Sequence, residues 1–169
     1  GRFKSTLALE DAMKHDQTML LLPQKSVVDD DPSFDDLYPI GTVAKIKQIL
    51  KPQGENIRVL VTGLYRGRVV AAKQTNPFLS GIVESVPEIE FHDNMKVQAL
   101  RREANLLYAA YLDMSDHPPQ SVQLRMMDSD DTGFIADSIV QNSGMDYADK
   151  AKLLCQLHPV KRLEEAVRL

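Results

Sequence analysis

The hydrophobic pattern of the chain changes its period near residue 92, and this change limits the possible fold more than any other feature. Before residue 92, short apolar runs are separated by segments rich in Pro, Gly, Asn and Asp, which is typical of β-strands and turns. After it, apolar residues recur every three or four positions, as in amphipathic helices. The sequence therefore predicts an α+β fold, with a β-rich subdomain at residues 1–92 and an all-helical subdomain at residues 93–169.

The β-rich half contains one helical segment and several strand-like runs. Residues 5–14 show helical spacing and predict a short helix. Pro52 and Gly54 predict a hairpin connection between two of the runs, and Gly63 is interpreted as a bend that separates two others. Val59 and Val61 are expected to alternate toward the core. The predicted strands cover residues 18–24, 41–50, 57–62, 66–73 and 78–86.

The helical half begins with a long amphipathic segment at residues 93–115. Its apolar residues step by three and four, so we expect them to share one core-facing side. Three shorter helices are predicted at residues 133–141, 146–157 and 159–169, and Pro159 suits a first helical position. The residues expected on the core-facing side are Val97, Leu100, Ala104, Leu107, Tyr111 and Met114.

The charge and cysteine content narrow the class of function. The net charge is −4 and the pI is about 5.5, whereas nucleic-acid binders usually carry a basic surplus. The composition therefore argues against nucleic acid as a partner. The single cysteine, Cys155, fits a reducing compartment, and no apolar run approaches the roughly 20 residues that span a bilayer.

No pattern in the sequence predicts a catalytic, cofactor or metal site. There is no Gly-x-x-x-x-Gly-Lys-Ser/Thr phosphate loop and no Gly-x-Ser-x-Gly nucleophile motif. Asp128, Asp130, Thr132 and Gly133 match the first positions of a calcium loop, but Ile139 stands where the bidentate glutamate belongs. We interpret Asp130 and its neighbour as acids that cap a helix start.

The segment VTGLYRGRVV, residues 61–70, places two arginines on one face of a strand. Arg66 and Arg68 form a candidate ionic ridge that contacts a polypeptide. The alternative, which we favour, is that both pair with the acidic loop at residues 29–36. Each exposed pair of this kind contributes only about 0–1 kcal/mol.

Several motifs in order resemble the amino-terminal domain of Lon, the ATP-dependent protease. They are GRFKSTLALEDAM with LLLPQK, DLYPIGTVAKIKQIL, IRVLVTGLYRGRVV, DDTGFIADSIV and KAKLLCQLHPVKRLEEAVRL. The resemblance covers almost the whole chain. Thr132 stands where that family often has proline, and Phe134-Ile135 replaces the family's usual pair of a polar residue and leucine. Both variations are tolerable at the start of a helix. The family also carries an initial β-strand before the Gly-Arg pair, which residues 1–169 lack, so we expect an unpaired sheet edge and self-association.

The resemblance implies a PUA-like β pseudobarrel followed by a helical bundle. It implies a non-catalytic domain that recognises unfolded or degron-bearing protein substrates and supports a cytoplasmic hexameric protease. ATP and Mg²⁺ are then expected only in the ATPase domain, and the Ser-Lys protease site is also expected outside this chain. Candidate substrate-contacting residues are aromatic or proline residues at the ends of loops and strands, and they are Phe3, Tyr38, Pro39, Tyr65 and Phe78.

Two other functions remain open on the sequence. One is a stand-alone adaptor of the same fold that is not attached to a protease. The other is an RNA-binding PUA-like module, which the acidic pI disfavours.

Overall fold

The computed structural model describes residues 2–50, 56–115 and 120–169. The chain divides into two compact units, Gly1–Pro87 and Glu88–Leu169. The α+β class predicted from the sequence is confirmed. The division lies five residues before the predicted one, because the backbone N–H of Ile89 donates to the Leu157 carbonyl and the Phe91 ring stacks on His158. The segment that precedes the first long helix thus packs with the helical unit.

The first unit is a short helix followed by a four-stranded antiparallel sheet in the order β1-β2-β3-β4. A 3-10 turn, Phe34–Asp36, lies in the loop between β1 and β2, where Ser33 and Asp36 form a capping box. The elements are α1 (Phe3–Met13), β1 (Thr18–Leu21), β2 (Gly41–Leu50), β3 (Arg58–Gln74) and β4 (Ser80–Ser85).

Strand β3 corrects the prediction of two strands separated by a bend at Gly63. It is one strand of 17 residues that passes through this position. Val43 pairs with Tyr65 and the next residue of β2 pairs with Gly63, so Leu64 is an extra residue, a β-bulge. The bulge accommodates the irregularity without interrupting the strand. Most of the predicted hairpin connection, residues 51–55, lies outside the described residues.

The core of the first unit is small and lies between α1 and the sheet. Leu9 and Ala12 of α1 contact Ile46 of β2, and all three are buried. Further apolar side chains pack around them, and these are Met13, Met19, Ile49 and Ile57. By contrast, Val59 and Val61 are each 36% exposed, so the prediction that they point into the core is wrong.

The second unit contains five helices within its described residues. Asn94 and Asp131 cap two of them by accepting backbone N–H groups, at 3.0 Å in both cases, and Pro159 takes the first turn of the last helix. The capping interpretation of the 130–131 acids is thereby confirmed at Asp131. The helices are α2 (Met95–Asp113), α3 (Gln120–Met127), α4 (Thr132–Asn142), α5 (Tyr147–Cys155) and α6 (Pro159–Ala166), of which α3 was not predicted.

Helix α2 faces the core with a different side from the one predicted. Leu107 is 48% exposed and Met114 is 81% exposed, so the second half of the predicted face is wrong. The stripe that is buried steps by four, three, four and four residues, and consists of Val97, Arg101, Ala104, Tyr108 and Leu112. Leu100 lies between the two faces and packs against the core.

The centre of the helical unit contains a fully buried arginine. Arg162 of α6 donates to Glu88 at 2.7 Å and forms an ion pair with Asp137 of α4 at 3.3 Å. Met126, Ile135 and Leu163 of the same unit are also fully buried, and they belong to its apolar core. A buried guanidinium needs such partners, because an unpaired charge in a protein interior is strongly destabilising.

Candidate functional site

Strands β3 and β4 of the first unit expose many apolar side chains. Every residue of β3 from 58 to 65 is exposed, although a strand of an ordinary sheet buries alternate residues. Leu60 is 58% exposed and Leu64 is 51% exposed. Exposed apolar side chains in such number indicate a candidate site of protein interaction. The exposed apolar residues of the two strands are Val59, Leu60, Val61, Leu64, Tyr65, Val70, Ile82 and Val83.

Strand pairing also leaves one backbone edge of this part of β3 open. Strand β2 pairs with residues 58–67 along one edge, while β4 pairs with residues 67–74 along the other. The N–H of Val86 extends the second pairing only as far as the carbonyl of Arg66. Within the described residues, the edge of residues 58–65 that faces away from β2 therefore has no strand beside it. We call residues 58–65 the open segment.

Gly67 marks the point where the open segment ends. It pairs with Gly41 on one side and with Ser85 on the other. A Cβ atom at Gly67 would lie 2.8 Å from the Val43 side chain and 3.1 Å from that of Val83. Glycine is thus required where β2 and β4 both pack closely against β3.

Tyr65 is the one predicted contact residue that lies on the open segment. It is 50% exposed and pairs with the buried Val43 of β2. Its neighbours on this surface, Leu60 and Leu64, were not predicted as contact residues. An apolar run such as RVLVTGLY is usual for a buried strand, and only the folded chain shows that it is exposed here.

Phe3 lies at the start of α1, whereas Tyr38 and Pro39 lie near the end of the β1–β2 loop, and we call these three residues the second group. Phe3 is 76% exposed. Arg2 donates to the Gln24 side chain and to the Val27 carbonyl, which ties the start of α1 to the β1–β2 loop. Gln24 forms an isolated β-bridge with Leu37. The N–H of the next residue, Tyr38, donates to the Pro23 carbonyl at 2.8 Å. The same loop therefore anchors both parts of this group.

Phe78 lies apart from both groups, in the connection between β3 and β4. It is half-buried, and its carbonyl accepts the side-chain N–H of Gln74 at 3.1 Å. Nine residues of strand, about 30 Å of extended chain, separate Gln74 from Tyr65. The structure therefore does not gather the five predicted contact residues into one patch, and their role in contacting a substrate stays a prediction.

The contacts of Arg68 differ from the predicted pairing of Arg66 and Arg68 with the acidic loop. Arg68 forms an ion pair with Glu84, its cross-strand partner on β4, and not with the acidic loop. That loop is contacted instead from α1, where Lys4 lies 2.6 Å from Asp31 and Arg2 lies 4.0 Å from Asp30. The prediction of pairing with residues 29–36 is therefore wrong for Arg68.

Strands β2 and β3 are strongly basic although the chain as a whole is acidic. They contain six basic residues and no acidic residue. A count of charge for each predicted strand would have revealed this, whereas the net charge conceals it. Acidic groups on a bound segment would thus be favoured beside the open segment. The basic residues are Lys45, Lys47, Arg58, Arg66, Arg68 and Lys73.

An apolar groove of about 370 Å³ lies between α1 and the ends of β2 and β3. Its lining is mainly apolar, and it also includes one acid of α1 and the lysine that follows this helix. The lining residues are Leu9, Glu10, Met13, Lys14, Ile49 and Ile57.

The part of the chain that the structure describes contains neither a cluster of metal ligands nor a helix that could span a membrane. There, no three His, Cys, Asp or Glu side chains are placed together so that they could hold a metal ion. The hydroxyl of Thr132, one of the calcium-loop positions, accepts a hydrogen bond from Arg101 at 3.1 Å. None of the described helices has the length and hydropathy needed to cross a bilayer.

Comparison with known proteins gives a consistent result over the whole chain. The family model of the ATP-dependent protease La (LON) substrate-binding domain matches residues 1–169. A Lon protease of Desulforamulus reducens is 34% identical over 165 residues, which cover 98% of this chain and 20% of that protein. The Lon protease of Escherichia coli K12 is 34% identical over 164 residues, which cover 97% and 21%. The chain thus spans about one fifth of the length of these curated relatives.

Two solved structures have the same fold. The N-terminal domain of a Lon protease of the Mycobacterium avium complex superposes with a TM-score of 0.78 at 23% identity, and the match covers 98% of this chain and 84% of that one. A Lon N-terminal domain protein of Xanthomonas campestris gives a TM-score of 0.60 at 16% identity, with 99% and 85% covered. The fold expected from the sequence motifs is confirmed.

Proposed function

The chain belongs to the family of ATP-dependent protease La (LON) substrate-binding domains, and on that premise we propose that it is a non-catalytic domain of a Lon protease. In this proposal it binds unfolded or degron-bearing segments of protein substrates and supports the assembly of the protease subunits into a hexamer. The ATPase and Ser-Lys protease sites, with ATP and Mg²⁺, belong to other parts of the parent protein. We also propose a cytoplasmic location, which the single cysteine supports.

The observation that carries the proposal is the exposed apolar surface of β3 and β4. Unfolded proteins differ from folded ones by exposing apolar side chains and unpaired backbone groups. The open segment offers both, because Leu60, Leu64 and Tyr65 are exposed and one strand edge is unpaired within the described residues. An extended segment that pairs with such an edge gains main-chain hydrogen bonds and apolar contacts together.

The expected affinity follows from two opposing contributions to the free energy of binding. Burying one leucine side chain is worth about 1.5–3 kcal/mol. Ordering a disordered segment offsets much of the gain, so a single small surface is expected to bind with micromolar affinity. Weak binding of this kind suits a domain that must accept many different sequences.

The stand-alone adaptor is the second candidate. The matched relatives are about five times longer than this chain and carry the name of a protease, which favours the Lon interpretation. An RNA-binding role receives some support from the basic β2 and β3 strands, but β3 also exposes apolar side chains at Leu60, Leu64 and Val70. Steep weakening of binding by salt would distinguish phosphate recognition from apolar recognition.

A binding titration tests the proposal. The probe is fluorescently labelled lactalbumin, reduced and carboxymethylated so that it stays unfolded, and its anisotropy is followed as the chain is added. We expect micromolar binding that Leu60→Ser weakens by about tenfold, the equivalent of one buried leucine. Leu124→Ser is the matched control, because Leu124 is 64% exposed on α3, in the other unit.

Two outcomes contradict the proposal. Equal weakening by the two serine variants would show that binding has no preference for the open segment. No binding of the unfolded probe at any attainable concentration would mean that substrates are recognised elsewhere in the parent protein.

A further inference from the structure

Helix α2 carries a second apolar stripe on the side opposite its buried one. Leu106 is 73% exposed, and Ala110, one turn later, is also exposed. Successive residues of a helix are rotated by about 100° about its axis. Leu106 and Ala110 therefore lie on the side of α2 opposite the buried residues Ala104 and Tyr108. A leucine beside a small residue allows another helix to approach closely.

Two opposite charges flank this stripe along one rim. Arg102 and Asp113 are eleven residues apart, close to three helical turns, so they point in nearly the same direction. Both side chains are exposed, and neither forms an ion pair with another described residue. One end of the rim is therefore positive and the other is negative.

The apolar pair and the charged pair share one centre. The midpoint of Leu106 and Ala110 is residue 108, and the midpoint of Arg102 and Asp113 lies within one residue of it. A two-fold axis near this point would place Leu106 against Ala110 of the partner subunit. The same axis brings the rim that carries Arg102 and Asp113 next to the same rim of the partner helix. Arg102 would therefore lie beside Asp113 of the partner subunit.

We propose that α2 pairs antiparallel with α2 of a second copy of this chain, about a two-fold axis close to residue 108. Leu106 and Ala110 form the centre of the contact, and Arg102 and Asp113 form two symmetry-related ion pairs. This inference rests on the proposed assembly role and assigns one surface to it. A single pair of helices is smaller than a standard interface, so the isolated chain associates weakly. In a larger assembly, the high effective concentration of subunits makes such a contact significant.

A charge-reversal cycle tests the pairing in the 169-residue chain. Sedimentation velocity over a range of concentrations gives the dimer dissociation constant of the wild type, Arg102→Asp, Asp113→Arg and the double variant. Each single reversal places like charges together twice, and we expect it to weaken dimerisation by about tenfold. The double variant exchanges the two signs and restores the wild-type constant. Lys96→Asp, a reversal on the first turn of the same helix, is the control and leaves the constant unchanged.

Leu106→Glu provides an independent check at the centre of the contact. This side chain is mostly exposed in the single chain, so the variant is expected to fold, and circular dichroism verifies it. We expect the dimer to be lost. Association that survives both Leu106→Glu and Arg102→Asp would overturn the proposal and point to another surface, such as the open segment. A wild-type chain that stays monomeric at every concentration would also overturn it, whereas the proposed substrate binding is decided separately by the lactalbumin titration.

Discussion

Arg101 of α2 donates two hydrogen bonds to the carboxylate of Asp93, at 2.7 and 3.1 Å. The Nη1 atom also donates to the Thr132 hydroxyl at 3.1 Å. The guanidinium is buried, and it connects the segment before α2 with the first turn of α4. One arginine thereby fixes the starts of two helices relative to each other.

Replacement of this arginine is expected to destabilise the helical unit. Arg101→Ala leaves the Thr132 hydroxyl buried without this donor and should lower the free energy of unfolding by about 1–3 kcal/mol. Arg102→Ala removes a neighbouring exposed arginine and should change it by less than about 0.5 kcal/mol. Urea denaturation of both variants at low protein concentration gives the comparison. Equal effects would show that the Arg101 contacts carry no stability.

The same ion pair predicts a dependence of stability on pH. The hydrogen bond from Arg101 is the main cause that lowers the pKa of Asp93 in the folded chain. The unfolded value is about 3.9, so the contribution of the ionised carboxylate is fully present above that pH. It is lost as the pH falls through the folded pKa. The difference in stability between the wild type and Asp93→Asn should therefore shrink below about pH 4. A difference that stays constant down to strong acid would contradict this assignment.

The two sides of α2 should respond differently to truncation. Leu112 is 3% exposed, and Leu112→Ala should cost about 2–5 kcal/mol through lost burial and a residual cavity. Leu107 is 48% exposed, so Leu107→Ala should cost less than about 1 kcal/mol. Thermal unfolding followed by circular dichroism ranks the two variants. The opposite ranking would restore the face that the sequence predicted.

Gly133 is expected to be intolerant of even a methyl group. A Cβ atom there would lie 2.6 Å from the carboxylate of Glu88, which the buried Arg162 holds in place. Alanine normally stabilises a helix interior by about 1 kcal/mol relative to glycine, but here Gly133→Ala should destabilise the chain. Gly144→Ala is the control, since its nearest contact would be at 3.9 Å.

A double-mutant cycle identifies the cause of this effect. In a Glu88→Ala background the collision is absent, so the cost of Gly133→Ala should fall. If the cost is the same in both backgrounds, some neighbour other than Glu88 restricts the position.

The sequence predicted the elements more accurately than it predicted their faces. Strand β2 has the predicted bounds, Gly41–Leu50. Arg101 could not be predicted as buried, because its burial depends on Asp93 and Thr132, which only the tertiary structure places beside it. Leu107 belongs to a regular apolar pattern in the sequence, yet in the structure it belongs to the more exposed side of α2.

The exposure of β3 could not be predicted from the sequence for a related reason. Hydrophobic alternation cannot show whether a strand has a neighbour on both edges. Leu60 and Leu64 lie where β3 is paired with β2 but not with β4, and the bulge at Leu64 also shifts the alternation. Helix α3 was missed because its sequence, QSVQLRMM, is short and follows a proline-containing segment.

Binding of unfolded substrate by the exposed apolar residues of β3 and β4 can be located by nuclear magnetic resonance. The nitrogen-15-labelled chain is titrated with unfolded lactalbumin at low and high salt, and its amide chemical shifts are followed. We expect the largest shifts on residues 58–65 and 80–85, and we expect them to change little with salt, because apolar contacts dominate the binding. Shifts that cluster on Arg66 and Arg68 and vanish at high salt, or shifts confined to the helical unit, would contradict it.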